Sequence, residues 1–230
     1  MTTREENTPA PERQDMPLLI VGMGASAGGL EALQQFFACM PDNSGLAFVV
    51  IQHLSPDYKS LMAEILGKYT TMMVLQAEND MPVEPNAVYL IPPKKNMTIK
   101  DGRLQLTDYA QGSINHPIDV FFSSLAEERR ELSLAVVFSG TGSDGTSGVK
   151  AVKEHGGLVL VQEPKSARFD GMPRSAINTG LDFVLPPRAK SPRKSSISPT
   201  IPCFPSPPKA CPFFPTMRIP SPISTCCSRR

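Results

Sequence analysis

The stretch IVGMGASAGG at residues 20–29 is an apolar run that ends in small residues around a single serine. Residues 18–21 form a short aliphatic segment bounded by glycine, which is typical of a buried strand. Apolar residues then recur at helical spacing over residues 30–37. The sequence therefore predicts that Ser26 lies at a turn from a strand into a helix.

Two chemistries use such a turn. Residues 24–28 fit G-x-S-x-G, in which small neighbours allow a strained turn to present the serine oxygen. Gly22 and Gly24, followed by Ala27, also fit a loose dinucleotide-binding fingerprint. On this stretch alone, both interpretations stay open.

The chain from Pro17 to Leu185 alternates strand-like and helix-like segments. This alternation predicts an α/β fold, a doubly wound and mostly parallel sheet of about seven strands with helices on both faces. Asp101-Gly102 between two short apolar runs predicts a small inserted hairpin. The strands are expected at 18–21, 46–52, 73–75, 88–91, 134–138, 158–161 and 183–185, the hairpin at 97–106, and later helices at 57–68, 117–130 and 149–155.

His53 directly follows the second predicted strand. Ligands of such sheets bind beyond the carboxyl ends of the strands, so His53 is expected at the same edge as Ser26. A dinucleotide site requires Asp or Glu near this position to hold the ribose, but the residues there are Gln52 and His53. The histidine favours serine chemistry, although a lone histidine at a core edge is the simpler alternative.

A glycine-rich loop at residues 139–146, SGTGSDGT, follows the most strand-like run in the chain. Its Asp144 has the chemistry to orient a histidine ring and to stabilise the imidazolium that forms when a serine proton is taken. Two alternatives remain, because Asp is a preferred helix cap and a glycine-rich loop can bind phosphate through its amides. The P-loop pattern is absent, which weakens the phosphate interpretation.

Four segments together resemble the catalytic domain of the chemotaxis protein-glutamate methylesterases of the CheB type, over Pro17 to Leu185. The resemblance implies an α/β enzyme that hydrolyses glutamyl methyl esters on chemoreceptors, with some members deamidating receptor glutamines. It also implies Ser26 as nucleophile, His53 as base and Asp144 as orienting acid. The four segments are GASAGG at 24–29, VIQHL at 50–54, GTGSDG at 140–145 and FDGMPRSAI at 169–177.

An oxyanion hole and a substrate groove are expected around these residues. By analogy with other nucleophile turns, the Ala27 N–H is the first candidate donor, and a second is expected from the Gly140 to Gly142 loop, which includes Thr141. Met172, with Pro173 and Arg174, is expected to border the groove. Proline at a helix start is the alternative explanation of that segment.

The length of 230 residues suggests one domain at 17–185, flanked by tails. Residues 1–16 are polar and lack the apolar core of a signal peptide, so we expect a disordered leader that is too short for the receiver domain usual in these enzymes. Thr141 stands where many members carry methionine, which is similar to the methylesterase part of fused methylesterase–methyltransferase proteins. We therefore expect a truncated fusion, with a methyltransferase region as a possible partner in the full-length protein.

Residues 186–230 differ sharply from the rest of the chain. They hold half of the 24 prolines, four of the five cysteines and no Asp or Glu. This composition predicts a disordered basic tail, and its abrupt onset suggests translation out of frame. The cysteines have no ligand-like spacing, so we expect no metal and no cofactor.

Charge and hydropathy limit the partners further. The formal net charge of +1 is the sum of a basic tail and a mildly acidic body. Because the body lacks the positive charge of a phosphate-binding surface, nucleic acid is not an expected partner. No run approaches the roughly 18 apolar residues of a membrane span, so we expect no membrane insertion and a cytoplasmic location. Three hypotheses remain: an active glutamyl methylesterase, a catalytically silent receptor-binding or regulatory fragment, and a nucleotide-binding α/β module.

Overall fold

The computed structural model describes residues 18–53, 61–109, 115–180 and 184–185. The predicted leader at 1–16, the predicted tail at 186–230 and the start of the helix predicted at 57–68 lie outside these residues. In the part of the chain that is described, none of the helices is long and apolar enough to cross a bilayer.

A seven-stranded sheet forms the centre of the fold, in the order β10-β9-β8-β1-β2-β5-β3. Every pair of neighbours in this sheet is parallel. The predicted α/β class and the mostly parallel sheet are confirmed. The strands are β1 (Ile20–Ala25), β2 (Ala47–Gln52), β3 (Met73–Gln76), β5 (Ala87–Leu90), β8 (Ser133–Val137), β9 (Leu158–Gln162) and β10 (Val184–Leu185).

Helices cover both faces of the sheet because the central strands are apolar on both sides. One core cluster joins alternate residues of β1, β2 and β8 to α3, α4 and α5, and a second joins the intervening residues to α1 and α2. This two-sided burial explains the continuous apolar runs in the sequence. The helices are α1 (Gly29–Phe37), α2 (Leu61–Leu66), α3 (Pro117–Arg129), α4 (Thr146–Glu154) and α5 (Gly171–Ile177).

The glycines of β1 have a packing role. A Cβ on Gly24 would lie 2.6 Å from Ile118 Cγ2, and one on Gly22 would lie 3.0 Å from both Phe121 and Phe122. These glycines therefore allow α3 to approach the sheet closely. Packing accounts for the two glycines that had suggested a dinucleotide-binding turn.

The predicted hairpin is present as β6 (Lys95–Lys100) and β7 (Arg103–Asp108), paired antiparallel. Asp101 and Gly102 both have positive φ, 50° and 72°, as a two-residue type I′ turn requires. A third strand, β4 (Met81–Pro82), pairs with β7 and was not predicted. Two residues are too few for a periodic signal in the sequence.

Candidate active site

Ser26 and His53 leave the sheet side by side. The last register pair between β1 and β2 joins Ala25 to Gln52, so Ser26 and His53 are the next residues of neighbouring parallel strands. The His53 N–H donates to the Ala25 carbonyl at 3.3 Å. Neighbouring strands are about 4.8 Å apart, which places both residues at one position on the carboxyl edge.

Asp144 reaches the same edge from the loop after β8. Its Oδ2 lies 2.7 Å from His53 Nε2. The Asp144 side chain is 5% exposed, whereas that of His53 is 34% exposed. The structure thus brings together the three residues that the sequence predicted as nucleophile, base and acid, with the acid the most deeply buried.

The Asp144 carboxylate is held at the N-terminus of α3. It accepts the N–H of Ile118 at 3.2 Å and the N–H of Asp119 at 3.1 Å. These N–H groups have no partner within the helix, and the helix dipole favours a negative charge at this end. The helix N-terminus therefore orients the carboxylate.

Two neighbouring groups respond to this charge. Burial raises the pKa of the Asp119 carboxyl, and repulsion by Asp144 raises it further, while the hydrogen bond from the Gly148 N–H opposes the shift. The pKa of Tyr109 is also raised, first by burial and then by the charge of Asp144. The Tyr109 phenol thus stays protonated at neutral pH beside the His53–Asp144 pair.

His116, Asp119 and Asp144 each offer one ligand atom, and these atoms lie within 4.8 Å of one another. These residue types are those of a metal site. However, the oxygens of Asp144 already accept two backbone N–H groups and face His53, and Asp119 Oδ1 accepts the Gly148 N–H at 2.8 Å. The arrangement is explained by helix capping without an ion.

Among the described residues, some backbone N–H groups of the glycine-rich loop are free to bind a ligand, whereas another is already hydrogen-bonded within the protein. The Gly140 N–H donates to the Phe169 carbonyl at 3.0 Å, so it is engaged. Thr141 and Gly142 are exposed, and Gly142 has a φ of +88°. Within the described residues, the N–H groups of Ala27, Thr141 and Gly142 donate to no protein acceptor.

Gly140 is packed too tightly to carry a side chain. A Cβ there would lie 2.1 Å from Met172 Sδ and 2.9 Å from Ser26 Cβ. Met172 is 1% exposed and its N–H donates to the Gly140 carbonyl at 2.9 Å. Met172 therefore lies buried beneath the loop, whereas the sequence predicts that it borders the substrate groove.

The other residues of the 172–174 segment belong to α5. Pro173 is buried within the first turn of that helix, as the alternative explanation of this proline requires. Arg174 is exposed, and its Nε lies 2.5 Å from Asp170 Oδ2.

Ser139 was not predicted as a site residue, although it connects three loops. It is 1% exposed, and its hydroxyl donates to the Ala27 carbonyl at 2.8 Å while accepting the Phe169 N–H at 3.0 Å. Its own carbonyl accepts the Ser26 N–H at 3.0 Å. The available signal was its position directly after a strong strand, the same signal that identified His53.

A polar cleft of about 250 Å³ opens beside the histidine. Its lining includes Gln52, His53, Lys94, Tyr109 and Asn115. The cleft lies on the β2–β5 side of the site, opposite the loop that contains Phe169. His53 therefore borders a solvent-accessible cleft.

Comparisons with known proteins agree with this geometry. The sequence profile of the CheB methylesterase family matches residues 21–192. The crystal structure of the Thermotoga maritima CheB methylesterase catalytic domain superposes with a TM-score of 0.68 at 30% identity, covering 74% of this chain and 94% of that one.

Two curated relatives differ in how much of their own length this chain matches. A putative protein-glutamate methylesterase/protein-glutamine glutaminase of Leptospira interrogans is 33% identical over 166 residues, 71% of this chain and 86% of the relative. An uncharacterized 104.1 kDa protein of Rhodobacter capsulatus is 47% identical over 125 residues, 54% of this chain. The chain spans only 13% of that larger relative.

The doubly wound sheet, with a serine, a histidine and an aspartate at one carboxyl edge, has the architecture of an α/β-sheet hydrolase. The matches make the assignment specific. The chain belongs to the CheB methylesterase family.

Proposed function

We propose that this chain hydrolyses glutamate γ-methyl esters on the cytoplasmic domains of methyl-accepting chemoreceptors and releases methanol. The observation that carries the proposal is the 2.7 Å contact of His53 Nε2 with Asp144 Oδ2, beside the turn that presents Ser26. The relatives' names specify this reaction class for those proteins. Family membership gives no support to the nucleotide-binding alternative.

Asp144 determines which ring nitrogen of His53 acts as the base. An ionised Asp144 accepts a hydrogen bond from Nε2–H, which fixes the tautomer and leaves the Nδ1 lone pair to take the proton of the Ser26 hydroxyl. The Ser26 oxygen then attacks the ester carbonyl. The protonated Nδ1 returns its proton to the departing methoxide, and water hydrolyses the glutamyl-enzyme by the same route.

The tetrahedral intermediate needs donors for its oxyanion. Because the Gly140 N–H is bonded to Phe169, we assign the second donor to Thr141 or Gly142, with Ala27 as the first. Amides that are held in place before the reaction stabilise the developing charge without reorganisation. Loss of one such donor costs on the order of 10²–10³ in rate.

The catalytic unit that we propose spans residues 17–185. The family match at 21–192 supports these bounds. The 104.1 kDa relative supports an origin in a longer protein, in which a methyltransferase region is the proposed neighbour. The leader at 1–16 and the out-of-frame origin of 186–230 remain sequence predictions. Independent sequencing of the gene tests the reading frame of 186–230.

Methanol release from methylated chemoreceptor fragments tests the activity. The chain should release methanol, and Ser26→Ala should abolish the release. Ser133→Ala is a matched control, because Ser133 is a buried serine at the opposite end of β8 and its hydroxyl donates to the Arg130 carbonyl within its own turn. If the folded wild-type chain releases no methanol, the silent-fragment alternative replaces this proposal.

The same acyl-enzyme chemistry extends to glutamine, where ammonia replaces methanol as the leaving group. The name of the Leptospira interrogans relative includes protein-glutamine glutaminase. Ammonia release from unmethylated receptor fragments that contain glutamine tests this second activity in parallel.

A further inference from the structure

The segment Arg168-Phe169 forms one rim of the site. The side-chain stem of Arg168 lies against the turn that follows Ser26, since a Cβ on Gly28 would be 2.8 Å from Arg168 Cβ. The Phe169 N–H and carbonyl are bonded to the Ser139 hydroxyl and the Gly140 N–H, each at 3.0 Å. The backbone of this rim is therefore held by the same groups that hold the nucleophile and the oxyanion loop.

The side chains of the rim point outward from this fixed backbone. Phe169 is 39% exposed, and the Arg168 guanidinium carbon lies 5.8 Å from the centroid of its ring. Stacking of this kind orders both side chains before any partner binds. An exposed aromatic ring on a rigid loop beside a reactive serine is typical of a recognition surface.

Arg168 is also a cation without a local counter-charge. Among residues that the structure describes, Arg174 pairs with Asp170, whereas Arg168 has no carboxylate within ion-pair distance. Across the site, Lys94 at the cleft is likewise unpaired within the described ranges, while its neighbour Lys95 bonds to Asp108 at 2.7 Å. Unpaired cations therefore flank Ser26 and His53 on both sides.

We propose that Arg168 and Phe169 recognise an acidic protein surface around the target ester, with the guanidinium binding a neighbouring carboxylate and the ring packing against the aliphatic part of the substrate. This inference rests on the proposed function and specifies how its substrate is chosen. A protein with several hydrolysable glutamyl esters acquires a carboxylate each time one is hydrolysed. Such a substrate presents negative charge beside the remaining esters, which the flanking cations complement.

Binding is measured first, so that recognition is separated from turnover. In the Ser26→Ala background, the Kd of a methylated receptor fragment should rise about three- to fivefold for Arg168→Gln, the size of an exposed ion pair. Phe169→Ala should raise it about tenfold. Arg103→Gln is the charge-matched control, because Arg103 lies in β7 of the inserted hairpin and pairs with Asp80. It should leave the Kd unchanged.

Turnover gives the second readout. With the serine intact, the ratio of kcat/KM for the receptor fragment to kcat/KM for p-nitrophenyl acetate should fall at least threefold in Arg168→Gln. The salt dependence of receptor binding should also weaken. The proposal is overturned if the Kd and the ratio of kcat/KM values both stay within twofold of the parent values. It is also overturned if kcat/KM falls equally for the receptor fragment and for p-nitrophenyl acetate. A wild-type chain that binds the fragment but releases no methanol refutes the proposed function alone.

Discussion

Asp144, which precedes α4, caps the N-terminus of α3, and Asp119, which lies in α3, caps the N-terminus of α4. The Asp119 N–H, in the first turn of α3, donates to Asp144 Oδ1 at 3.1 Å. Asp119 Oδ1 accepts the N–H of Gly148, in the first turn of α4, at 2.8 Å. Because Asp144 lies just before α4, the position of the acid that contacts His53 depends on how α3 and α4 pack together.

Replacing Asp144 by Asn should separate the catalytic effect of the Asp144 charge from the effect of its side chain on folding. Asn keeps one oxygen, which accepts the Asp119 N–H but not also the Ile118 N–H, because Asp144 uses a different oxygen for each; we therefore expect a folded protein of slightly lower stability. It cannot stabilise the imidazolium of His53, and kcat for ester hydrolysis should fall by roughly 10⁴. Steady-state kinetics and circular dichroism measure the two effects. A decrease in kcat smaller than tenfold would contradict the assigned role, and Asp144→Ala should additionally lower stability.

Asp119→Asn should be neutral or stabilising at pH 7. The pKa of Asp119 is raised in the folded state, mainly by burial, so the ionised carboxylate disfavours the fold at neutral pH. This cost disappears as the pH falls below the carboxyl's unfolded pKa, where both states are protonated. Urea unfolding at pH 7 and pH 4 should therefore show an advantage of the Asn variant that shrinks in acid.

Asp119→Ala is the control for the hydrogen bond. It removes both the charge and the acceptor for the Gly148 N–H, and loss of a cap of this kind costs about 1 kcal/mol. An Asn variant that is less stable than wild type at pH 7 would contradict the pKa argument.

Ser139→Ala should reduce turnover more than Ser133→Ala, the same substitution at a buried serine far from the site. It leaves the Ala27 carbonyl and the Phe169 N–H without their partner, and an unsatisfied buried group costs about 1–3 kcal/mol. Ser133 is equally buried, at 1% exposure, at the far end of β8. We expect both Ala variants to be less stable, and only Ser139→Ala to lower kcat at a temperature where both are folded. Equal kcat values in the two variants would show that Ser139 is merely structural.

Gly140→Ala should inactivate the enzyme. The added methyl group would overlap Met172 Sδ and press on Ser26 Cβ, so the nucleophile and the oxyanion loop must separate. Gly45→Ala is a useful comparison, since Gly45 has a φ of +74° but open space around it. It should cost stability through backbone strain and leave kcat unchanged. Normal p-nitrophenyl acetate turnover by Gly140→Ala would refute the tight packing.

The main strands and the inserted hairpin were predictable because each depends on local pattern. Asp101-Gly102 specifies a two-residue turn, and the apolar runs before Ser26 and His53 identify buried strands whose ends meet. The short strand Met81–Pro82 was not predictable, since it exists only by pairing with β7. For Met172, side-chain type could not distinguish a groove residue from one packed beneath a loop.

By itself, the sequence determined the α/β class and placed Ser26, His53 and Asp144 after separate strands. Those properties follow from hydrophobic periodicity and from the rule that parallel strands end at a common edge. Only the tertiary structure decided that Asp144 contacts Nε2 of His53, that Ser139 joins three loops, and that Arg168 lies on the turn after Ser26. These contacts link residues as many as 140 positions apart, as for Gly28 and Arg168, and their geometry depends on how helices pack on the sheet, which no local pattern encodes.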